Sequence, residues 1–417
     1  MKQLFMVKQV KKVFVVTLCC MMVFGTNSCN KSGGDSANTI KFWHFWSEPS
    51  QRAALQQMIG EFEKQNNCKV EVTELSWNDG KTKLLAAFNS KTAPDAMEFG
   101  SDWVAQFSSS GVLKEIPAAD AHLENYIDWS HQPCMWKGKI YALPWVVDTR
   151  VLYVNKGLLE QAGITTVPTT MNDVLTMSEK VQSLSGNNGF GANGADPHKV
   201  YKKILPLMWS NGGDVFNENG ECIINSKENI DALELYVQLS RSGLIDTQKQ
   251  LDAAFTQGKL AFWNSGGWLA DKIGRENPLL DYTVIPLPPI TGEHGTSFAG
   301  GEYLSVNAAS EKQELATKLI QYITNGKTAL TFCKQITEAG FPADKIAFRD
   351  TYFASHPIRS VFATQLQHAK MTPVHAKWLS VEEIIENAVV EVLYGRKTSE
   401  EALNEAAYQI SKLKTSK

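Results

Sequence analysis

The chain has 417 residues and a formal net charge of −3, and 43 % of its residues are hydrophobic. Residues 1–28 carry four lysines and no acid, so the chain without them has a net charge of −7. This acidic balance argues against nucleic acid or an anionic membrane surface as the ligand. About 380 residues exceed one ordinary hydrophobic core, which predicts two lobes.

The first 28 residues have the pattern of a secretory signal peptide. Four lysines precede an apolar stretch over residues 13–25, which is too short to span a membrane. Small residues lead up to Cys29, and the polar residues 29–38 suit a flexible tether. The sequence therefore predicts an exported chain whose folded part begins at residue 39.

Four cysteines remain in the folded part: Cys68, Cys134, Cys222 and Cys333. They are widely spaced, with no CxxC pair and no histidine at metal-ligand spacing, so we expect neither a metal site nor a cofactor. One or two disulfides and buried free thiols both agree with this spacing.

Strand and helix patterns alternate from residue 40 onward. Residues 40–45 read as a strand, and the apolar positions i, i+3, i+4 and i+7 counted from Leu55 predict a helix. A strand over 69–75, a helix around Leu84 and a short buried strand ending at Gly100 follow. This β-α-β-α-β order predicts a sheet flanked by helices.

The second half repeats such elements. Residues 258–274 read as strand, Gly-Gly turn and helix, and a further helix lies around Leu233. Ser380 with Glu383, and Thr398 with Glu401, have the spacing of capping boxes that begin helices. We predict lobe crossings at 141–150 and 285–297, with a third near 338–345.

The aromatic cluster in "FWHFW" raises the question of which rings are core. In a strand, Phe42 and Trp46 share one face and Trp43 the other. Because Ser47-Glu48-Pro49 must end the strand, we expect Trp46 at the carboxyl edge of the sheet, displayed to a ligand. Phe42 is expected in the core, and Trp43 fits either place.

Several stretches together resemble a known family. They are "APDAMEFGSDWVAQFSSSGVL", "ALPWVVDTRVLYVNKGLLEQAGI", "LMWSNGGDVF", "FTQGKLAFWNSGGWLADKI", "FAGGEYLSVNAASEKQELATKLIQYIT" and "YGRKTSEEALNEAAYQI". The chain resembles an extracellular solute-binding protein of the maltose-binding type, the sugar receptor of a bacterial ABC transporter. The residues before Cys29 resemble a lipobox, with Thr26 where the family prefers leucine.

The resemblance implies an α/β, two-lobed periplasmic-binding-protein fold of type II, with crossing segments as a hinge and an interlobe cleft. The N-terminal lobe would comprise 39–147 and 297–341, and the C-terminal lobe 148–296 and 342–417. It also implies a monomer that is lipid-anchored at Cys29, faces the periplasm or cell exterior and delivers a sugar to ABC permease subunits.

Sugars present hydroxyls and apolar faces, so a cleft should combine carboxylates, Arg or amides with aromatic rings. The family match places a hydroxyl-binding acid at Asp102 with Trp103 beside it; alternatively, Asp102 is the N-cap of the following helix. Asp148 and Arg150 could form a fork for vicinal hydroxyls, or a surface ion pair.

The family match also places ligand contacts in the Gly-Gly turn and at the strand that follows it, and four further tryptophans are candidates by their position in the sequence. The candidate residues are Asn264, Gly267 and Trp268 in the Gly-Gly turn, Gly301 and Glu302 at a strand, Trp43 and Trp46 at the first strand, and Trp209 and Trp378. The last two lie in helical patterns and fit a core role nearly as well.

Two other functions are compatible with parts of the sequence. A surface glycoside hydrolase needs two carboxylates, which the acidic chain could supply, but no GxSxG, HExxH or phosphate loop is present. The same fold could bind a polyol phosphate or another non-sugar solute, which would want several cationic side chains in the cleft. The candidates are mainly Trp and Asp, which favours a neutral sugar and no enzymatic activity.

Overall fold

Two mixed sheets with helices packed on them carry the folded part of the chain. The computed structural model describes residues 38–183 and 187–413. The predicted signal peptide, Cys29 and all but the last residue of the tether lie outside the described residues. Thr39 begins the folded unit.

The first sheet has seven strands in the order β13-β6-β12-β3-β1-β2, with β14 also paired to β12. These strands are β1 (Thr39–His44), β2 (Lys69–Glu74), β3 (Ala96–Gly100), β6 (Leu143–Thr149), β12 (Ser297–Val306), β13 (Phe341–Pro342) and β14 (Ala369–Lys370). Strands β2, β1 and β3 are parallel, whereas β12 runs antiparallel to both β3 and β6.

The second sheet has five strands in the order β11-β7-β10-β8-β9. These strands are β7 (Val151–Asn155), β8 (Asn188–Asn193), β9 (Gly243–Asp246), β10 (Leu260–Ser265) and β11 (Tyr282–Ile285). Strands β9, β8 and β10 are parallel, and β7 is antiparallel to β10 and β11. A small hairpin pairs β4 (Met135–Trp136) with β5 (Lys139–Ile140).

The helices of the first half are α1 (Pro49–Asn66), α2 (Gly80–Asn89), α3 (Val104–Ser109), α4 (Ala118–Ala121), α5 (His131–Cys134), α6 (Lys156–Gln161), α7 (Met171–Gln182) and α8 (Tyr201–Ser210). Those of the second half are α9 (Lys227–Arg241), α10 (Gln248–Thr256), α11 (Gly267–Glu276), α12 (Gln313–Thr324), α13 (Gly326–Gln335), α14 (Lys345–Phe348), α15 (Thr351–Ala354), α16 (Pro357–Leu366), α17 (Trp378–Leu393) and α18 (Ser399–Ser411). Short 3₁₀ turns lie at Leu123–Asn125, Asp128–Ser130 and Thr337–Ala339.

The predicted β-α-β-α-β order is confirmed in β1 to β3. Helix α1 buries the predicted apolar face from Leu55 to Phe62, and its first residue is Pro49, where a missing N–H costs nothing. The predicted strand, turn and helix around residues 258–274 are β10 and α11. Local periodicity was sufficient here because each element buries one regular face.

Helix capping was predicted correctly at one of two sites. Thr398 caps α18 and forms a capping box with Glu401. The capping box predicted for Ser380 with Glu383 is wrong. Helix α17 begins at Trp378, so Ser380 lies inside the helix, and the N-cap residue Lys377 makes no side-chain cap. Trp378 is fully buried, and that tertiary packing extends the helix beyond the local signal.

Two of the predicted crossings connect the sheets. Residues 141–150 contain β6 of the first sheet, and β7 of the second sheet begins at Val151. Residues 285–297 lead from β11 of the second sheet back to β12 of the first. In the third segment, Phe341–Pro342 still pairs with β6, so the chain is in the first sheet there. The lobe boundaries themselves stay a prediction.

The four cysteines of the described residues are free thiols, and all except Cys222 are buried. The spacing of the cysteines had left both disulfides and free thiols open, and the structure shows free thiols. Over residues 38–183 and 187–413, no helix combines the length and apolar composition needed to cross a bilayer.

Phe42 is fully buried in β1, as predicted, while its register partner Val72 in β2 is 38 % exposed. Replacing Phe42 by Ala should lower the free energy of unfolding by about 3–5 kcal/mol, because a cavity remains in the core. Val72→Ala is the matched control and should cost about 1 kcal/mol or less. Denaturant unfolding measures both; equal losses would contradict the difference in burial between these two side chains.

Candidate functional site

Each sheet has a point where the strand order reverses, and the carboxyl ends of the strands open a crevice there. In the first sheet this point lies between β1 and β3, which are followed by Phe45 and Ser101. In the second sheet it lies between β8 and β10, because β9 is on the other side of β8. Ligands of open α/β sheets bind at such points, so these two edges define the candidate site.

A hydrogen bond joins the two edges. The hydroxyl of Tyr201, the first residue of α8, donates to a carboxylate oxygen of Asp102 at 3.1 Å. Asp102 does not cap the following helix, because α3 begins at Val104 with Trp103 as its N-cap residue. The alternative helix-cap role is therefore wrong, and the carboxylate faces the second sheet instead.

The rings at the first edge form one aromatic cluster, made of Phe45, Trp77 and Trp103. Trp77 stacks on Phe45 with ring centroids 4.1 Å apart and meets the edge of Trp103 at 5.5 Å. Trp103 is buried, whereas Trp77 is 41 % exposed. Trp77 was missed in the sequence, although it follows β2 at the same edge and its position after a strand end could have indicated it.

Trp46 is not displayed, which corrects the sequence prediction. The side chain is 8 % exposed and makes edge contacts with Phe332 at 5.1 Å and Trp145 at 5.7 Å. Phe332 belongs to helix α13, almost 300 positions after Trp46 in the chain. No local sequence pattern could therefore reveal that this ring covers Trp46. Trp43 is partly buried and packs against the same core.

Arg150 lies at the first crossing between the sheets. Its guanidinium forms a close ion pair with Asp148 and donates to the carbonyl of Thr149 at 3.2 Å. It also lies over the ring of Trp268 at 4.6 Å. The pair is largely buried, with 9 % of the Arg150 side chain and 22 % of the Asp148 side chain exposed, so it is not a surface ion pair.

Asp252 in α10 fixes the indole of Trp268. It accepts hydrogen bonds from the Nε1 atoms of Trp268 at 3.0 Å and Trp263 at 2.7 Å. Burial raises the pKa of this carboxyl. In the Gly-Gly turn, a Cβ at Gly266 would lie 2.0 Å from the Trp268 ring, so Gly266 permits the close approach, whereas a Cβ at Gly267 would make only an ordinary contact with the Thr337 carbonyl oxygen at 3.9 Å.

Asn264 and Gly301 are less accessible to a ligand than predicted. The Asn264 side chain is buried, and its backbone carbonyl accepts a hydrogen bond from the Lys203 ammonium at 2.7 Å. A Cβ at Gly301 would lie 2.4 Å from the carbonyl oxygen of Val146, so this glycine serves the packing of β12 on β6. Neighbouring Glu302 is partly buried.

Burial raises the pKa of Glu302 well above its usual range, with Asp148 and Glu98 adding repulsion. Glu98 itself lies in β3, and its carboxylate accepts the backbone N–H of Phe45 at 2.9 Å.

Trp209 and Trp378 belong to the hydrophobic core that packs on the second sheet, which corrects their assignment as ligand contacts. Trp378 is fully buried and meets the edge of the Tyr201 ring at 6.0 Å. Trp209 is 7 % exposed and donates to Asp214 at 3.1 Å. Their helical sequence context had left this core role open.

The site also contains two lysines, Lys81 and Lys202, which the sequence did not indicate. The Lys81 ammonium lies 5.6 Å from the ring centroid of Trp103, is buried and has no hydrogen-bond partner among the described residues. Burial lowers its pKa, which Glu382 and Asp102 partly oppose. Lys202 lies 5.3 Å from the ring of Phe298 and 5.4 Å from that of Tyr201.

The two edges thus present carboxylates, a phenol, cations and aromatic rings within one region. Such a set can donate and accept directional hydrogen bonds and can cover an apolar ligand face. Asp102, Tyr201, Lys81 and Trp77 are the side chains brought together at the first crevice, and Asp148, Arg150 and Trp268 those at the crossing.

Comparison with known proteins defines the class. The family model for bacterial extracellular solute-binding proteins matches residues 46–328, and the chain belongs to this family. The maltodextrin-binding protein MdxE of Bacillus subtilis is 24 % identical over 95 % of this chain and 96 % of its own length. The galactooligosaccharide-binding protein of the same organism is 24 % identical over 96 % of each chain.

Among solved structures, the GacH receptor of Streptomyces glaucescens superposes with a TM-score of 0.80 at 24 % identity, covering 90 % of this chain and 98 % of the receptor. The predicted fold class, a two-lobed type II solute-binding fold, is confirmed by this likeness.

Burial raises the pKa of Glu98 from 4.5 to about 8. The folded chain therefore holds a proton that the unfolded chain releases between these values, and stability falls as the pH rises through this window. Glu98→Gln keeps an acceptor for Phe45 and should reduce the loss of unfolding free energy between pH 5 and pH 8, by up to about 3 kcal/mol.

Denaturant unfolding at the two pH values measures this difference. Glu71→Gln, an exposed change on strand β2 of the same sheet, is the control and should follow the unmodified chain. An identical pH dependence for Glu98→Gln and the unmodified chain would rule out this proton.

Proposed function

We propose that the chain is a carbohydrate receptor that captures a sugar or oligosaccharide between its two sheets and delivers it to an ABC import permease. The observation that carries this proposal is the joint position of Asp102 and exposed Trp77 at one sheet edge. A carboxylate that accepts from hydroxyls beside a ring that covers C–H faces is the combination a sugar requires. The maltodextrin- and galactooligosaccharide-binding relatives support the same ligand class.

Tyr201 connects ligand capture to motion. Tyr201 reaches Asp102 from the second sheet, so contacts to both sheets form only when the two edges are close. A ligand held from both sides favours that closed arrangement. Hinge closure at the crossing segments follows from the two lobe boundaries predicted above.

The test is a panel of mono- and oligosaccharides in thermal-shift and tryptophan-fluorescence assays. A cognate ligand at a hundredfold excess over Kd should add roughly 2.7 kcal/mol of stability. Small-angle scattering with that ligand should show a smaller radius of gyration. New reducing ends in the same incubations would instead indicate a glycoside hydrolase, and no response to any saccharide would contradict the proposal.

Lys81 and Lys202 favour one second candidate, a solute with an anionic group such as a polyol phosphate. A buried ammonium without a hydrogen-bond partner is costly and suits an anion that enters with the ligand. Asp102 and Glu382 offset this charge, which is why the neutral sugar is preferred. Polyol phosphates in the same panel decide between the two classes.

Trp77 and Trp46 form a matched pair of variants for the ligand-binding surface. Trp77→Ala should weaken saccharide binding by about 1–3 kcal/mol, since an exposed platform is lost, and should cost only about 1 kcal/mol of stability. Trp46→Ala should lower the free energy of unfolding by about 3–5 kcal/mol, because its ring is buried. Calorimetric titration and melting curves measure both; normal saccharide binding by Trp77→Ala would exclude this ring from the site.

We propose in addition that the chain is lipid-anchored at Cys29 after export. Two lines of support are the small residues before this cysteine and the polar tether after it. Cys29→Ser should move the protein from the membrane to the soluble fraction and leave saccharide binding unchanged. Retention of the variant in washed membranes would point to another form of attachment.

A further inference from the structure

A histidine and two glutamates converge where the loop before α8 meets α17. They are His198, Glu382 and Glu386, and one potential ligand atom from each lies within 4.8 Å of the others. Glu382 and Glu386 are four residues apart on one helix and therefore share a face. The two glutamates are buried, whereas 42 % of the His198 side chain is exposed.

The hydrogen bonds around this cluster hold it in place. Nδ1 of His198 makes a close contact with Oε1 of Glu382. Glu386 accepts the backbone N–H groups of His198 at 2.8 Å and Tyr201 at 3.3 Å. The loop and the helix are thus fixed relative to each other, and the ligand side chains are preorganised.

One atom of the cluster is unsatisfied. Oε2 of Glu382 has no hydrogen-bond partner within the described residues, although this side chain is fully inaccessible to solvent. A buried carboxylate oxygen without a donor is costly and points to a group that occupies the site when the protein is loaded.

We propose that His198, Glu382 and Glu386 bind a divalent transition-metal ion such as zinc. Calcium and magnesium prefer sites whose ligands are all oxygen atoms, so the imidazole nitrogen argues against both ions. One histidine with two carboxylates is a donor set that zinc accepts. Tetrahedral zinc at about 2.0–2.2 Å from each donor places the donor atoms about 3.3–3.6 Å from one another, so side-chain shifts of about 1 Å bring a cluster within 4.8 Å to that geometry. The exposed edge of His198 leaves access for the ion and a water ligand.

The bound ion would link α17 to the loop that presents Tyr201. Since the Tyr201 hydroxyl donates to Asp102, this metal site is adjacent to the proposed sugar site without containing its residues. Zinc binding at the cluster can therefore hold or fail independently of saccharide binding.

Zinc binding to the purified, metal-stripped full chain tests the proposal by competition with a chromophoric chelator. One zinc per chain is expected, and His198→Ala and Glu386→Gln should each weaken its affinity at least about tenfold, because loss of even an outer-sphere partner costs that much. Glu383→Gln, an exposed change on the same helix, is the matched control and should leave affinity unchanged.

X-ray absorption at the zinc edge provides a readout that does not depend on the variants. Nitrogen and oxygen donors with an imidazole signature are expected, and a sulfur donor would place the ion at Cys222 or another thiol and overturn the proposal. Absence of micromolar zinc binding, or equal weakening by Glu383→Gln, would overturn it as well.

A Lys81 variant provides a further test of Glu382 as a metal ligand, because the Lys81 ammonium is attracted to the Glu382 carboxylate. If a cation and this ammonium share Glu382, Lys81→Met should tighten zinc binding severalfold through loss of repulsion. Weaker zinc binding in Lys81→Met would contradict the assignment of Glu382 as a metal ligand.

Discussion

Two chain segments pass side by side between the sheets, and the hydrogen bonds between these segments fix how the two sheets face each other. The Thr149 hydroxyl donates to the carbonyl of Phe298 at 2.8 Å, and the Ser297 hydroxyl donates to the carbonyl of Arg150 at 2.7 Å. Thr149 and Ser297 are fully buried. Because each crossing satisfies the polar groups of the other, the chain can leave one sheet and enter the next without unpaired buried backbone.

This paired crossing also determines what the site contains. Arg150 lies at the crossing itself, so its guanidinium meets Asp148 from the first sheet and the Trp268 ring from the second. The two points of strand-order reversal are consequently held face to face, which brings Tyr201 to Asp102. Buried carboxyls at the first edge, such as Glu98 and Glu302, have raised pKa values because the sheet removes them from water.

Some residues take the place that their local sequence predicts, and others take a place that distant segments decide. Phe42 and the apolar face of α1 were predicted correctly because alternation and helical period are properties of neighbouring residues. Trp46 and Trp77 both follow strands at the same edge, yet Trp46 is covered by Phe332 and Trp77 remains exposed. Nothing within either segment distinguishes the two rings; a helix far along the chain does.

Taken by itself, the sequence determined the alternation of strands and helices, two of the crossing segments and the acidic residues at strand ends. These depend on side-chain period and on turn residues, which act over a few positions. Only the tertiary structure decided that Asp102 faces Tyr201 instead of capping a helix, that Lys81 enters the site, and that His198 meets Glu382 and Glu386. The contacts of Tyr201 with Asp102 and of His198 with the two glutamates join residues about 100 to 190 positions apart, and their energies come from burial and charge that exist only once the sheets have packed.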